Sequence, residues 1–165
     1  IVIVGIASCR KDIDENLLYI MVPPLILQPI VENAIVHGVE SVKNGTIHLH
    51  IFHDESKVYL QVRNTGKKMT EQDFERIHAI LEGDESQIPK KPGRHTSIGI
   101  QNVNRRIRLV YGDEYGLTIV QGENCETIST ITVPYSDEQI MDSSKGQSGC
   151  QNQTGNEQDL TNNVK

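Results

Sequence analysis

Two polar residues interrupt an otherwise apolar stretch over Gln28–Gly38, which reads QPIVENAIVHG. Asn33 and His37 are four residues apart, so a helix would place both on one face. An asparagine carbonyl is a hard oxygen ligand that suits Mg²⁺, and a histidine one turn later can donate to a phosphate oxygen. The spacing is consistent with a cleft-facing helix surface that holds a metal and a phosphate. The alternative is a half-buried helix whose polar side chains are satisfied within the fold.

A second segment, Val62–Met69, reads VRNTGKKM and has the pattern of a strand that runs into a glycine turn. The side-chain carbonyl of Asn64 at the strand end can accept from the amino group of a base, and Gly66 lets the backbone come close. The alternative is an ordinary turn.

A third segment, Thr96–Ile107, reads TSIGIQNVNRRI. It predicts a loop that contains Gly99 and leads into the start of a helix, where free backbone N–H groups bind phosphate well. Asn102, Arg105 and Arg106 follow in the first turns. The alternative is a helix cap with arginines exposed to solvent.

Composition narrows the class of partner. The 165 residues suit one domain with a real core. A net charge of −6, from 16 basic and 22 acidic residues, argues against nucleic acid as the main partner. Three widely spaced cysteines indicate neither a zinc site nor a disulfide framework, and reduced thiols in a cytoplasm are the simplest interpretation. The apolar runs are too short or too rich in proline to span a bilayer, so we expect no membrane contact by these residues.

The elements that must position these segments alternate between helix and strand. Helical patterns cover Pro24–Val39, a segment from the Thr70 cap to about Leu81, and Ile98–Val110. Strand patterns cover Thr46–His53, Lys57–Arg63, Leu117–Gln121 and Thr127–Val133. Together they predict an α+β fold, a two-layer sandwich of a mixed, mostly antiparallel sheet with helices on one face.

The composition changes near Tyr135. Residues 10–135 are predicted to form the domain, and residues 1–9 are left unassigned. Residues 136–165 are rich in Ser, Gln, Asn, Gly and Asp and carry almost no large apolar side chains, so they predict a disordered tail.

The three polar segments, in this order and with a Gly- and Lys-bearing loop between the second and third, form a recognisable set. The chain resembles the GHKL (Bergerat-fold) ATP-binding domain, and closely that of YesM- and LytS-like sensor histidine kinases. Pro24–Gly38 resembles the N box of that family and Val62–Met69 occupies the place of its G1 box. Ser97–Gly112 resembles the G2 box and its N-V-x-x-R signature, and Glu126–Pro134 occupies the place of a Gly-Thr strand that ends in proline. The resemblance covers about Arg10–Pro134.

The resemblance implies a protein-histidine kinase domain that uses ATP and Mg²⁺. Asn33 would ligate the metal, with His37 and Glu32 completing the implied catalytic set. Of the remaining nucleotide-binding residues, Asn64 and Gly66 would set the adenine, and the backbone of Ser97, Gly99, Ile100 and Gln101 would hold the phosphates. Met69 and Thr127 complete the implied set. Glu82–Thr96 would form an ATP lid.

Partners and location follow from the same resemblance. The implied partners are the protein's own dimerisation domain, which would carry the phosphoacceptor histidine outside this chain, and a response regulator. The chain would be the cytoplasmic domain of a membrane-anchored bacterial sensor.

Departures from the family pattern favour a different class of function. Asn64 stands where the family usually has aspartate, and Lys68, Ser97 and Glu126 stand where it has glycine. They favour, as the alternative, a degenerate module with weak or no nucleotide binding that acts in docking or regulation. Pro29 stands where many GHKL ATPases have the acid that activates water, so ATP hydrolysis is expected to be poor in either case.

Overall fold

The computed structural model describes residues 6–84, 86 and 96–135. These residues form five strands and three α-helices, joined by shorter helical turns. In chain order they are β1 (Ile6–Ile13), α1 (Gln28–Asn33), β2 (Gly45–His53), β3 (Lys57–Thr65), α2 (Glu71–Leu81), α3 (Thr96–Tyr111), β4 (Gly116–Gln121) and β5 (Glu126–Pro134).

All five strands belong to one sheet with the order β1-β2-β3-β5-β4. β1 pairs with β2 in parallel, and the other three pairings are antiparallel. The mixed, mostly antiparallel sheet predicted from the sequence is therefore confirmed.

Alternation along the strands decides which face of the sheet carries the helices. On β3 the side chains of Val58, Leu60, Val62 and Asn64 are buried, while those between them are half-buried. The buried side chains of all three helices join the same apolar core as these strand residues. Because successive strand residues point to opposite faces, the core and the helices lie on one side, and the predicted two-layer α+β sandwich is confirmed.

The first helix is shorter than the predicted Pro24–Val39. Leu25 has a left-handed backbone (φ 62°), which an α-helix cannot accommodate, and regular helix begins only at Gln28. After Asn33 the chain widens into a π-helical turn over Ala34–Gly38 and then tightens into a 3₁₀ turn over Val39–Ser41. Wide turns of this kind occur often at functional sites.

The second and third helices start in different ways. α2 begins at the predicted Thr70 cap, which forms a complete capping box: Thr70 accepts from the Asp73 N–H and the Asp73 carboxylate accepts from the Thr70 N–H. α3 begins at Thr96, two residues earlier than predicted, so Gly99 lies in its first turn rather than in a preceding loop.

β1 was not predicted, and its composition explains why. Ser8, Arg10 and Asp12 alternate with Cys9, Lys11 and Ile13, so neither face of the strand is apolar. As an edge strand it is held by parallel pairing to β2 and buries little side-chain surface.

Some predictions lie outside the described residues. They concern residues 1–5, most of the lid and the tail at 136–165. Among the helices that are described, none is both long enough and apolar enough to cross a bilayer.

Candidate functional site

The end of β3 meets the end of the first helical segment at two glycines. A Cβ atom on Gly38 would overlap the side-chain amide of Asn64, and a Cβ on Gly66 would lie 3.2 Å from Cα of Gly38. The two backbones therefore approach closely because both residues lack a side chain. This contact brings the first and second polar segments of the sequence together.

Beside this contact lies a cavity of about 260 Å³, here called the strand-end cavity. It is bounded by the end of β3, the wide turn after α1, the segment before α2, and one face each of α2 and α3. Its lining residues are Asn33, His37, Gly38, Asn64, Lys67, Lys68, Met69, Asp73, Arg76, Ile77, Ile80, Ile100, Ile119 and Thr127.

Six of the eleven site residues predicted from the sequence line this one cavity, although they come from five different elements. They are Asn33, His37, Asn64, Met69, Ile100 and Thr127. Their proximity was expected, whereas their roles in binding stay predictions.

Asn64 is the buried polar residue of the strand-end cavity, with 3% of its surface exposed. Its Nδ2 donates to the carbonyl oxygen of Thr65 at 3.2 Å. No donor among the described residues reaches its Oδ1. The oxygen is therefore the side-chain atom of Asn64 that can accept a hydrogen bond from a ligand in the cavity.

The segment between β3 and α2, Gly66–Met69, is attached to the sheet at both ends. The Gly66 N–H donates to the carbonyl oxygen of Cys125 at 3.2 Å. The Met69 N–H donates to Oε1 of Gln121 at 2.7 Å. Lys67 and Lys68 lie between these two attachments, are exposed, and line the cavity.

The charged groups of the cavity are mostly cationic. Lys67, Lys68 and Arg76 face one carboxylate, that of Asp73. The N–H and the hydroxyl of Thr70 donate hydrogen bonds to the Asp73 carboxylate and lower its pKa, which favours its ionised form within the capping box of α2. An excess of positive charge suits a polyanionic ligand such as a nucleotide phosphate.

Several lining residues were missed from the sequence. Asp73, Arg76, Ile77 and Ile80 share one face of α2 at helical spacing, and their alternation of charge and apolar groups was the available signal. Lys67 was missed because it lies in a short turn that carries no periodic pattern.

The other five predicted residues do not line the strand-end cavity. Gly66 lies beside it, against Gly38. Gly99 faces Pro29, where an added Cβ would come within 3.2 Å of the proline Cβ, so it allows α3 to approach α1. The backbone of Ser97 belongs to the first turn of α3.

Glu32 and Gln101 point elsewhere. Glu32 is exposed, and its Oε1 accepts from Nε2 of Gln28 at 2.8 Å, as expected for a helix residue adjacent to Asn33 that faces another direction. The predicted catalytic role of Glu32 gains no support from this position. Gln101 lines a separate, larger cavity between α2 and α3, here called the helix-pair cavity.

The helix-pair cavity measures about 670 Å³, and part of its polar lining is engaged in the fold, whereas the buried Nε of Arg108 has no hydrogen-bond partner among the described residues. Arg108 forms an ion pair with Glu82, which raises the pKa of the arginine and lowers that of the carboxylate. Asn104 bonds to two backbone groups. The strand-end cavity is the better candidate because six of the predicted site residues, the Asn64 oxygen and three cationic side chains meet there.

The sequence model of the Histidine kinase-, DNA gyrase B-, and HSP90-like ATPase family matches residues 23–140, well over half of the chain. The chain belongs to this family. The matched range contains every residue of the strand-end cavity. Membership in an ATPase family implies that the domain binds ATP.

Individual relatives agree with this assignment. The sensor histidine kinase YpdA of Escherichia coli (strain K12) is 35% identical over 103 residues, which are 62% of this chain and 16% of the relative. The sensor protein LytS of Bacillus anthracis is 28% identical over 126 residues, or 76% of this chain and 20% of the relative. The chain thus spans a fifth or less of the length of these curated relatives. The resemblance to LytS- and YesM-like sensor histidine kinases is confirmed.

Solved structures confirm the fold. The catalytic domain of histidine kinase ThkA, in a nucleotide-free form, superposes with a TM-score of 0.57 at 17% identity over 80% of this chain and 81% of that one. The same kinase in complex with response regulator protein TrrA gives a TM-score of 0.56 at 18% identity, over 79% and 35% of the two chains.

Proposed function

We propose that this chain is the ATP-binding catalytic domain of a two-component sensor histidine kinase. It transfers the γ-phosphoryl group of Mg²⁺-ATP to a histidine on a separate dimerisation domain, from which a response regulator receives it. The observation that carries the proposal is the strand-end cavity, where Asn33, His37 and Asn64 converge under a cationic rim. Family membership and relatives named as sensor kinases support the same reaction.

The base end of the nucleotide lies at Asn64. Its Oδ1 accepts from the amino group of adenine, while its Nδ2 donates to the Thr65 carbonyl. Gly38 and Gly66 keep the space beside it free of side chains. Met69 and Thr127 complete the wall of this end of the cavity.

The phosphate end lies at the first helical segment and the start of α3. Asn33 offers an amide oxygen to Mg²⁺ and His37 faces the phosphates. The first backbone N–H groups of α3, from Ser97 to Gly99, have no partner one turn earlier within the helix and are suited to a phosphate. Lys67, Lys68 and Arg76 reduce the negative charge of the same ligand.

The donor set around Asn33 fits Mg²⁺ bound together with phosphate. In the described part of the chain, no group of three or more His, Cys, Asp or Glu side chains can hold a metal. Mg²⁺ commonly takes few protein ligands and completes its shell with substrate phosphates and water. When bound, the ion neutralises phosphate charge and orients the transferred group.

The chemistry requires positioning more than a protein acid or base. The nucleophile is a histidine nitrogen, so no water-activating carboxylate is needed. Among the described residues, Pro29 occupies the position of that acid, and the adjacent Glu32 points elsewhere. We therefore expect phosphoryl transfer with little ATP hydrolysis.

One set of observations favours the alternative, a domain that binds nucleotide weakly and serves in docking. Lys68, which lines the cavity, stands where the family has a glycine. Asn64 stands where the family has a carboxylate that would contact adenine. A thermal-shift titration separates the two functions. If the proposed function is correct, millimolar Mg²⁺-ADP or Mg²⁺-ATP should raise the melting temperature. A nucleotide concentration of 100 times the dissociation constant should stabilise the folded domain by about 2.7 kcal/mol. An unchanged melting temperature with either nucleotide, at every Mg²⁺ concentration, would favour the docking module.

Asn33→Ala tests the metal ligand. Because Asn33 is half-buried and lines the cavity, the variant should weaken Mg²⁺-ATP binding by about tenfold while the apo domain loses little stability. Glu32→Ala is the matched control on the adjacent, outward position, and its nucleotide affinity should match wild type. Equal losses of folding stability and affinity in Asn33→Ala would mean that Asn33 is only structural.

The finer assignments of partner and place belong to the same proposal. A dimerisation domain with the phosphoacceptor histidine and a response regulator are the expected partners, as the ThkA–TrrA complex illustrates for another kinase. The domain is expected to act in the cytoplasm as part of a membrane-anchored bacterial sensor.

A further inference from the structure

Gln121 occupies the last position of β4 and does not itself line the strand-end cavity. It shares a strand face with the buried Leu117 and Ile119, so its side chain belongs to the helix-bearing side of the sheet. No feature of the sequence marks it for the nucleotide site.

Two short hydrogen bonds place Gln121 between the two sides of that site. Its Oε1 accepts from the Met69 N–H at 2.7 Å, and its Nε2 donates to the carbonyl oxygen of Glu126 at 2.6 Å. Met69 and Thr127, the residue after Glu126, both line the cavity. One amide therefore fixes the distance between two walls of the site.

The Met69 bond also limits the freedom of the segment Gly66–Met69. The other end of the segment is attached through the Gly66 N–H to Cys125, in the turn that precedes β5. Without Gln121 the segment would keep that attachment and lose the one nearest α2. Lys67 and Lys68 would then sample more conformations, and nucleotide binding would have to order them.

We propose that Gln121 is a positioning residue of the nucleotide site, which holds the segment Gly66–Met69 in its binding conformation. The proposal rests on the proposed function, because the segment matters only if the cavity takes a nucleotide. Gln121 touches neither the nucleotide nor the reacting phosphate and acts through Met69.

The chain offers a matched control in Gln61. Gln61 is also a partly buried glutamine on a strand, with two side-chain bonds: its Nε2 donates to Oγ1 of Thr130, and its Oε1 accepts from Nε of Arg63. It lies on the opposite face of the sheet, away from the strand-end cavity.

The experiment compares Gln121→Met, Gln121→Glu and Gln61→Met by ADP calorimetry and by amide hydrogen exchange. Gln121→Met keeps the length of the side chain and removes both bonds, so its ADP dissociation constant should rise about fivefold. Its Met69 amide should exchange much faster than in wild type. Gln121→Glu keeps an acceptor for the Met69 N–H, so it should restore protection of that amide and part of the affinity. Gln61→Met should change neither quantity.

The outcomes separate this proposal from the function on which it rests. Wild type that binds ADP, with equal affinity in Gln121→Met, would overturn the positioning role and leave the proposed function intact. Wild type that does not bind ADP would overturn both. If Gln121→Met fails to fold, wild-type exchange still decides the contact, since a Met69 amide no better protected than those of Lys67 and Lys68 would refute it.

Discussion

Asn64 and Asn104 are two buried asparagines in different parts of the described chain, with 3% and 2% of their surfaces exposed. Asn104, on α3, uses both ends of its amide on the backbone. Its Nδ2 donates to the carbonyl oxygen of Leu81 and its Oδ1 accepts from the Leu117 N–H, each at 2.8 Å. Asn64, at the end of β3, uses only its Nδ2, and only on the neighbouring residue.

The difference teaches how to distinguish a structural polar group from one that serves a ligand. Burial of a polar group is unfavourable unless its hydrogen bonds are made. Asn104 satisfies this condition within the protein and joins α2, α3 and β4. No donor among the described residues reaches the Asn64 oxygen, so this acceptor is open to a ligand in the strand-end cavity and its placement suits binding.

The largest effect is expected from Asn104→Ala. The variant leaves the Leu81 carbonyl and the Leu117 N–H without partners in a buried place, which should lower the free energy of unfolding by about 3 kcal/mol. Denaturant unfolding measures the loss. Asn102→Ala, two residues away and exposed on the same helix, is the control and should cost less than about 0.5 kcal/mol.

The comparison also requires that Asn104 have no effect on nucleotide affinity. Under conditions in which Asn104→Ala is folded, its affinity for ADP should stay within about twofold of wild type. The distinction between the two asparagines would fail if Asn104→Ala were as stable as Asn102→Ala. It would also fail if folded Asn104→Ala had lost its affinity for ADP.

A second prediction concerns the glycine that makes room for Asn64. Gly38 has a negative φ of −98°, so a left-handed backbone is not the reason for glycine here. The added Cβ would instead displace the Asn64 amide, and overpacking of this kind costs about 1–3 kcal/mol. Gly38→Ala should therefore weaken ADP binding by about tenfold.

A double-mutant cycle identifies the cause of that loss. In an Asn64→Ala background the amide that Cβ would meet is absent, so adding Gly38→Ala should have little further effect on affinity. Additive losses would mean that Gly38 acts through the helix turn and not through Asn64.

A third prediction sharpens the role of the Asn64 oxygen. Asn64→Asp replaces a neutral acceptor by a charged one and exchanges the long 3.2 Å hydrogen bond to Thr65 for a contact between two oxygens. ADP should bind about fivefold more tightly, since charge-assisted hydrogen bonds are stronger. GDP should not gain, because its carbonyl group would face the carboxylate. Calorimetry with both nucleotides provides the test, and weaker ADP binding would require a different placement of the base.

The two asparagines also show how far the sequence alone can lead. Asn64 was predictable because it ends an alternating strand and precedes a glycine, a pattern with a local chemical meaning. Asn104 lies in a helix among Asn102, Arg105 and Arg106 and looks like any solvated residue. Its partners at Leu81 and Leu117 are brought near by tertiary packing, which no local pattern records.

The same distinction holds for the fold. The alternating strands β2–β5 and the capped helix α2 were predictable because side-chain burial imposes their periodicity. β1 was not, because backbone pairing holds a strand without an apolar face. The left-handed Leu25 and the wide turn at Ala34–Gly38 were missed because the apolar periodicity of the segment continues through both.

Asp54 extends the comparison to a polar group that is satisfied on the surface. It lies in the turn between β2 and β3, where its carboxylate accepts from the Tyr59 hydroxyl at 2.7 Å and from the N–H groups of Ser56 and Lys57 at 2.8 Å. These bonds, the Tyr59 bond foremost, lower the pKa of Asp54 from 3.8 to about 2. If satisfied polar groups are structural, Asp54 should affect folding stability and leave nucleotide binding unchanged.

The expected effect is the smallest of the four and depends on pH. A carboxyl whose pKa is lower in the folded chain contributes its full stability above the unfolded pKa of 3.8, and that stability is lost as the pH falls through about 2. Asp54→Asn should therefore melt below wild type at pH 7, and the two melting temperatures should converge between pH 4 and 2. Tyr59→Phe removes the largest cause of the lowered pKa of Asp54. In that variant, the stability that Asp54 contributes should therefore be lost at a higher pH than in wild type. Glu55→Gln changes the same charge in the same turn and should show no such convergence.

Because Asp54 and Asn64 lie at opposite ends of the β2–β3 pair, ADP affinity at pH 7 should be equal in all of these proteins. A loss of affinity in Asp54→Asn would show that a satisfied polar group can still govern the ligand, and the rule drawn from the two asparagines would fail.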